Sequence, residues 1–139
     1  MNNVQTYFTD CKIKPVTLTF DENQIELLSL IMKDEETQYL SWCNILDEPA
    51  NSSVVNFFQI SKSILFDAER YQIGAVLEAS FECYFVLQSI AVSLLSYSEC
   101  CLCNHHEERE ICKNIAHVFF DAVDKLHDHK VSYLLRGDK

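Results

Sequence analysis

Apolar residues recur along most of this chain at three- and four-residue spacing, the period of a helix with one buried face. Residues 1–14 carry little pattern and read as a loosely held arm. Val16-Thr17-Leu18-Thr19-Phe20 then alternates with period two. That alternation predicts a short strand or extended segment, serving as a lead-in to a helix or paired with 131–135 near the other terminus. Asp21, with Gln24 three residues on and Phe20 and Ile25 spaced for a hydrophobic staple, predicts a helix start. Ile25, Leu28, Met32, Tyr39, Trp42 and Leu46 form the apolar stripe that follows. Charged residues at 33–36 interrupt it, so the stripe fits one long helix or two short ones, ending at Pro49 and Asn51-Ser52-Ser53.

A second helix, capped by Ser52 or Ser53, carries Val54, Phe57, Phe58, Ser61, Ile64 and Leu65 and runs to Tyr71, with Gly74 as hinge or cap beyond it. From Ala75 to Tyr97 apolar residues occupy nearly every face, which predicts a third helix enclosed by the others. After a Cys- and His-rich connection, Ile111, Ile115, Val118, Phe119, Ala122 and Leu126 predict the last helix. No internal repeat is visible in the residues. The expected architecture is a single all-α domain over 1–139. It is a bundle of four or five helices around a central apolar helix at 75–97, with one short N-terminal extended segment.

Composition agrees with that expectation. The chain holds only 2 Gly and 2 Pro, and long helices need fewer turn residues than sheets do. A net charge of −10, from 21 acids against 11 bases, argues against nucleic acid, which calls for a concentrated basic face. The 7 cysteines are odd in number and several lie at helical apolar positions, so a reducing, cytoplasmic compartment is expected. The uncharged run from Cys83 to Ser98 is shorter than the ~20 residues of a membrane span, and no membrane partner is expected.

Candidate chemistry is sparse. Cys100-Cys101-Leu102-Cys103-Asn104-His105-His106 offers zinc-type donors, but adjacent cysteines point apart and the spacing does not divide into two ligand pairs. Glu78 and Glu82 fall one helical turn apart on the apolar third helix, where they read as its wet face. Asp121, Asp124, His127, Asp128 and His129 read as a solvated helix end. No glycine-bearing elbow accompanies any Ser or Cys, so no catalytic residue, cofactor or metal ligand is expected.

The acidic stretch from Asp21 to Glu48 has more content. It holds a single base, Lys33, and its acids run into two aromatics. Asp34, Glu35, Glu36, Tyr39 and Trp42 are therefore the candidate partner-binding residues. The expectation is a small non-catalytic protein-binding protein of the inhibitor, immunity, antitoxin or chaperone type, docking on a basic partner protein. A metal-binding regulator or sensor using residues 100–106 is the alternative, and a small helical enzyme comes third. A homodimer is compatible with the sequence.

Overall fold

The period-two alternation is a strand. In the computed structural model, which describes residues 13–101 and 104–136, β1 spans Val16–Phe20 and buries Val16, Leu18 and Phe20. Helix α1 follows at Ile25–Ile45, entered through a single 3-10 turn at Glu22–Gln24. The Asp21 backbone N–H donates to Gln24 Oε1 at 3.0 Å, and Phe20 and Ile25 are both buried, as the start signal required. The charged interruption does not break α1: Lys33 and Asp34 face outward, while Glu36 is half-buried and Glu35 buried on one continuous helix.

Helix α2 runs Ser52–Tyr71. Its cap is Asn51 rather than either serine: Oδ1 of Asn51 accepts from the Ser53 and Val54 N–H groups at 2.9 and 3.2 Å. The helix closes on Gln72 in the left-handed conformation, φ 56°. Gly74 has a different role from cap or hinge. A Cβ there would lie 2.5 Å from the Phe20 carbonyl oxygen, so glycine permits close backbone approach.

The expected third helix divides. Ala75–Ala79 is strand β2, a 3-10 turn follows at Phe81–Cys83, and α3 spans Tyr84–Cys100. Val76 and Glu78 point to solvent while Ala75, Leu77 and Ala79 are buried, so a run that reads as apolar all round is period two at its start. Nor is α3 enclosed on all sides, since Phe85, Val92 and Tyr97 stay exposed. Helix α4, His106–Leu135, supplies Cys112, Ile115, Ala116, Phe119, Ala122, Val123 and Leu126 to the core. Its end includes 131–135, so β1 pairs elsewhere. Its partner is β2, antiparallel, with Leu18 opposite Leu77. Of the expected N-terminal arm, residues 1–12 lie outside the described residues; His129 Nδ1–H donates to the Lys14 carbonyl at 2.7 Å.

Helices dominate, in broad agreement with an all-α reading, and the described residues form a strand–turn–helix–helix unit twice. Val16, Leu18 and Phe20 correspond to Ala75, Leu77 and Ala79, and all six are buried. Asp21 and Ser80, which open the 3-10 turns, share one conformation at φ −92°, ψ 173° and φ −87°, ψ 170°. At the same constant spacing, Leu28 matches Leu87 and Met32 matches Ala91, again all buried. In the second helices, at a spacing one residue shorter, Val54, Phe57, Phe58, Leu65 and Ala68 match Cys112, Ile115, Ala116, Val123 and Leu126. The strand register obeys the same symmetry, because Val16↔Ala79 maps onto Phe20↔Ala75 when the halves are exchanged. Each second helix packs on the strand of the other half, α4 on β1 and α2 on β2. An internal repeat therefore exists where the residues show none.

Candidate functional site

Antiparallel helices α1 and α3 lie side by side near the pseudo-two-fold axis, and between them sits Glu35. This glutamate is 4% exposed. Ser89 of α3 donates its hydroxyl to Glu35 Oε1 at 3.1 Å. The second oxygen, Oε2, is buried without a hydrogen-bond partner among the described residues. A carboxylate carries about four lone-pair sites, and leaving a buried oxygen unserved costs about 1–3 kcal/mol. The equivalent position in the other half holds Leu94, fully buried. One half thus places an apolar side chain where the other places a half-satisfied acid.

Glu35 lies at one wall of a cleft of about 240 Å³. Gln38, Tyr39 and Trp42 line it from α1, and Phe85, Val86 and Ser89 from α3. Two of these aromatics are open to solvent, Trp42 at 58% and Phe85 at 77%. Tyr39 is fixed from behind: its hydroxyl accepts the Asn51 N–H at 2.8 Å and its ring centroid lies 6.2 Å from that of Phe58. Burial raises the Tyr39 phenol above its ordinary range, partly offset by that Asn51 N–H, so it remains neutral.

The helical repeat explains which of the five candidate residues meet. Glu35, Tyr39 and Trp42 are spaced four and three apart and share the face toward α3. Asp34 and Glu36 flank that face by about 100° on either side. Asp34 is exposed, and Glu36 turns toward α2, where its Oε1 meets Lys62 Nζ at 2.7 Å. The acidic triplet is therefore three separate environments rather than one rim. Gln38, Phe85 and Ser89 were not legible as site residues. The surplus of apolar positions on α3 was their signal, because a helix with more apolar faces than the core can cover presents one outward.

The exchange that relates the two halves carries this cleft onto a second one. That twin, about 230 Å³, is lined by Glu26, Leu27, Leu30 and Tyr97 together with Glu108 and Ile111. Its two carboxylates are exposed, and no buried acid lines it.

No known protein family, curated protein or solved structure matches the chain.

The remaining candidates do not converge with it. Glu78 is on β2 opposite Thr17, and Glu82 is in the following 3-10 turn, so they are not a helical pair. Cys100 and Cys101 are exposed, and Cys103 lies outside the described residues. Among the described residues no group of three His, Cys, Asp or Glu side chains could hold a metal ion, and no helix is long and apolar enough to cross a membrane. On α4, Asp121, Asp124, His127 and Asp128 are exposed, with His127 Nδ1 4.0 Å from Asp128 Oδ1. A cavity of about 330 Å³ opens beside Pro15, Asn56, Glu78 and Cys83. Burial pushes the Cys83 thiol up to about 11, which keeps it protonated and a poor nucleophile. Cys112 is pushed up to about 11 for the same reason, and its thiol donates to the Leu94 carbonyl at 3.1 Å.

Proposed function

We propose that this chain is a small non-catalytic protein-binding protein, of the inhibitor, immunity, antitoxin or chaperone type, that docks on a basic partner protein through the α1–α3 cleft. The observation that carries this reading is the buried, half-satisfied carboxylate of Glu35 beside exposed Trp42 and Phe85. Exposed aromatics at the mouth of a cleft are the residues that dominate interface energetics when a partner covers them. The net charge of −10 adds long-range attraction for a basic surface. Asp34, exposed on α1 next to Glu35, belongs to the rim and acts on the rate of encounter.

Selection of random displayed peptides on the immobilised protein tests the reading without a known partner. Basic side chains should be enriched at one peptide position, and binding should be lost in Trp42→Ala and Phe85→Ala. Asp34→Lys should slow association more than it hastens dissociation, with the difference shrinking as salt rises. Peptides with no basic preference, or basic peptides that bind Trp42→Ala as well as wild type, would remove the basis for it.

A further inference from the structure

We infer that this chain pairs with a second copy of itself across a two-fold axis, through the pole of the molecule where α1 and α4 end. Helix α3 packs against both of these helices, and an aromatic ribbon joins their ends across its entry. Trp42, near the end of α1, lines the same cleft as Phe85 at the start of α3. The Phe85 ring centroid lies 5.3 Å from that of Tyr84, and that of Tyr84 lies 5.4 Å from Phe81. Lys130 of α4 completes the ribbon, its Nζ 4.5 Å from the centre of the Phe81 ring. Leu134 stands one turn further along the same face of α4 and is 61% exposed, next to Leu135 at 82%. On the α1 side the apolar surface runs on to Ile45 and Leu46, both largely exposed.

The repeat has no counterpart for this surface. Helix α4 runs about two turns beyond the end of its equivalent α2, and α1 about one turn beyond α3. Both added lengths reach the same pole, and neither puts a side chain into the core. At the opposite pole the equivalents of Phe81 and Phe85 are Glu22 and Glu26. Apolar exposure alone names no occupant, but the charge around it does. Asp47 and Glu48 stand at the α1 end, and no Lys or Arg occurs between residues 34 and 61. At the α4 end Lys14, Lys130 and Arg136 outnumber Asp128 and Glu82. The ribbon is thus acidic at one end, aromatic in the middle and basic at the other. A two-fold axis lying across its middle sets the acidic end of each copy on the basic end of the other, the self-match that an isologous interface requires. Three helix ends at about 9 Å spacing span about 20–30 Å, the width of the roughly 800 Å² that each partner buries in a standard interface.

Pairing does not depend on the docking reading above, although both use Trp42 and Phe85. Sedimentation equilibrium of the full chain should show twice the chain mass at high concentration, giving way to the monomer on dilution. The fluorescence of Trp42, the single tryptophan, should shift over the same range. Phe85→Ala and Leu134→Ser should each weaken pairing several-fold or abolish it. Glu48→Lys and Arg136→Glu should each weaken it several-fold, since a two-fold repeats every contact, and the two together should restore it. All four positions are exposed, so the variants should keep the wild-type circular dichroism. The inference falls if the dimer ignores Phe85→Ala and Leu134→Ser, or if the combined reversal pairs no better than the single ones. It also falls if the chain is a monomer up to millimolar concentration, whether residues 1–12 or an unrelated partner covers the ribbon instead. Basic peptides that bind such a monomer would leave the docking reading standing, and a charge-swappable dimer that binds no peptide would sink that reading alone.

Discussion

Replacing Glu35 by leucine should make the protein more stable and less able to bind. The magnitude can be worked from the two halves of the fold. Leu94 shows that this position accepts a leucine packed at zero exposure. In the wild type one carboxylate oxygen is buried and unserved, a defect of about 1–3 kcal/mol. Against its removal stands the loss of the 3.1 Å hydrogen bond from Ser89. Ser89 is exposed, so water takes over that hydroxyl at little cost. The net expectation is a gain of about 1–2 kcal/mol. With a urea m-value of about 2 kcal/mol/M for a domain of this size, the unfolding midpoint should rise by about 0.5–1 M at unchanged slope. Equilibrium unfolding followed by circular dichroism measures this directly, and the same variant should bind selected basic peptides less well. A midpoint that falls by a comparable amount would refute the reasoning. It would mean that Glu35 is a structural bridge between α1 and α3, whose carboxylate is satisfied by the fold itself. Stability sacrificed at one buried position is the expected signature of a functional site rather than of a structural one.

Other consequences are simpler. Leu87→Ala and Ile90→Ala, both at fully buried positions of α3, should each lower stability by about 2–5 kcal/mol in the same unfolding assay. Asn51→Ala removes the α2 cap and should cost about 0.5–2 kcal/mol, whereas Ser52→Ala should cost little because the serine does not cap. In the folded protein near pH 8, Cys100 and Cys101 should be alkylated quickly while Cys83 and Cys112, buried and pushed up to about 11, should wait for unfolding; mass spectrometry after timed quenching reads the order. Gly74→Ala should destabilise, since its Cβ would sit 2.5 Å from the Phe20 carbonyl oxygen and backbone must move to admit it.

The local signals in the sequence were sound where one element decides its own form. Alternation at Val16–Phe20 and the Asp21/Gln24 start both hold, and the stripes of α2 and α4 face the core as spaced. The segment from Ala75 misled because only Ser80 and Glu82 separate a short strand from an apolar helix, and Glu82 follows Glu78 at a spacing that also fits one helical face. Ser80, which opens the turn, shares the conformation of Asp21. The repeat was hidden for a related reason. Across the strands and first helices only Leu18/Leu77, Leu28/Leu87 and Ile31/Ile90 are identical, because packing constrains burial and volume far more than residue identity. The site was half legible. The aromatics following the acids at helical spacing pointed to α1, but nothing local could say that α3 supplies the opposite wall, since that contact depends on the swapped arrangement of the halves.

That arrangement also gives a criterion for where function lies. A core built on a pseudo-two-fold asks the same of equivalent positions, and at most of them the halves comply: leucine with leucine, valine with cysteine, phenylalanine with isoleucine. The α1–α3 cleft departs from this in a concerted way. Glu35 stands against Leu94, Tyr39 against Ser98, Trp42 against Cys101, and Phe85 against Glu26. Glu35 does not help the fold, since its buried, unserved carboxylate oxygen reduces stability. Yet these four residues, drawn from both halves, line one cavity. Ser98 shows what the fold alone prefers at the Tyr39 position: a small, buried hydroxyl that donates to its own helix, to the Leu95 carbonyl at 2.7 Å, and leaves no wall for a ligand. At the α1–α3 cleft the halves thus part company, with Glu35, Tyr39 and Trp42 on one side of the exchange and Leu94, Ser98 and Cys101 on the other.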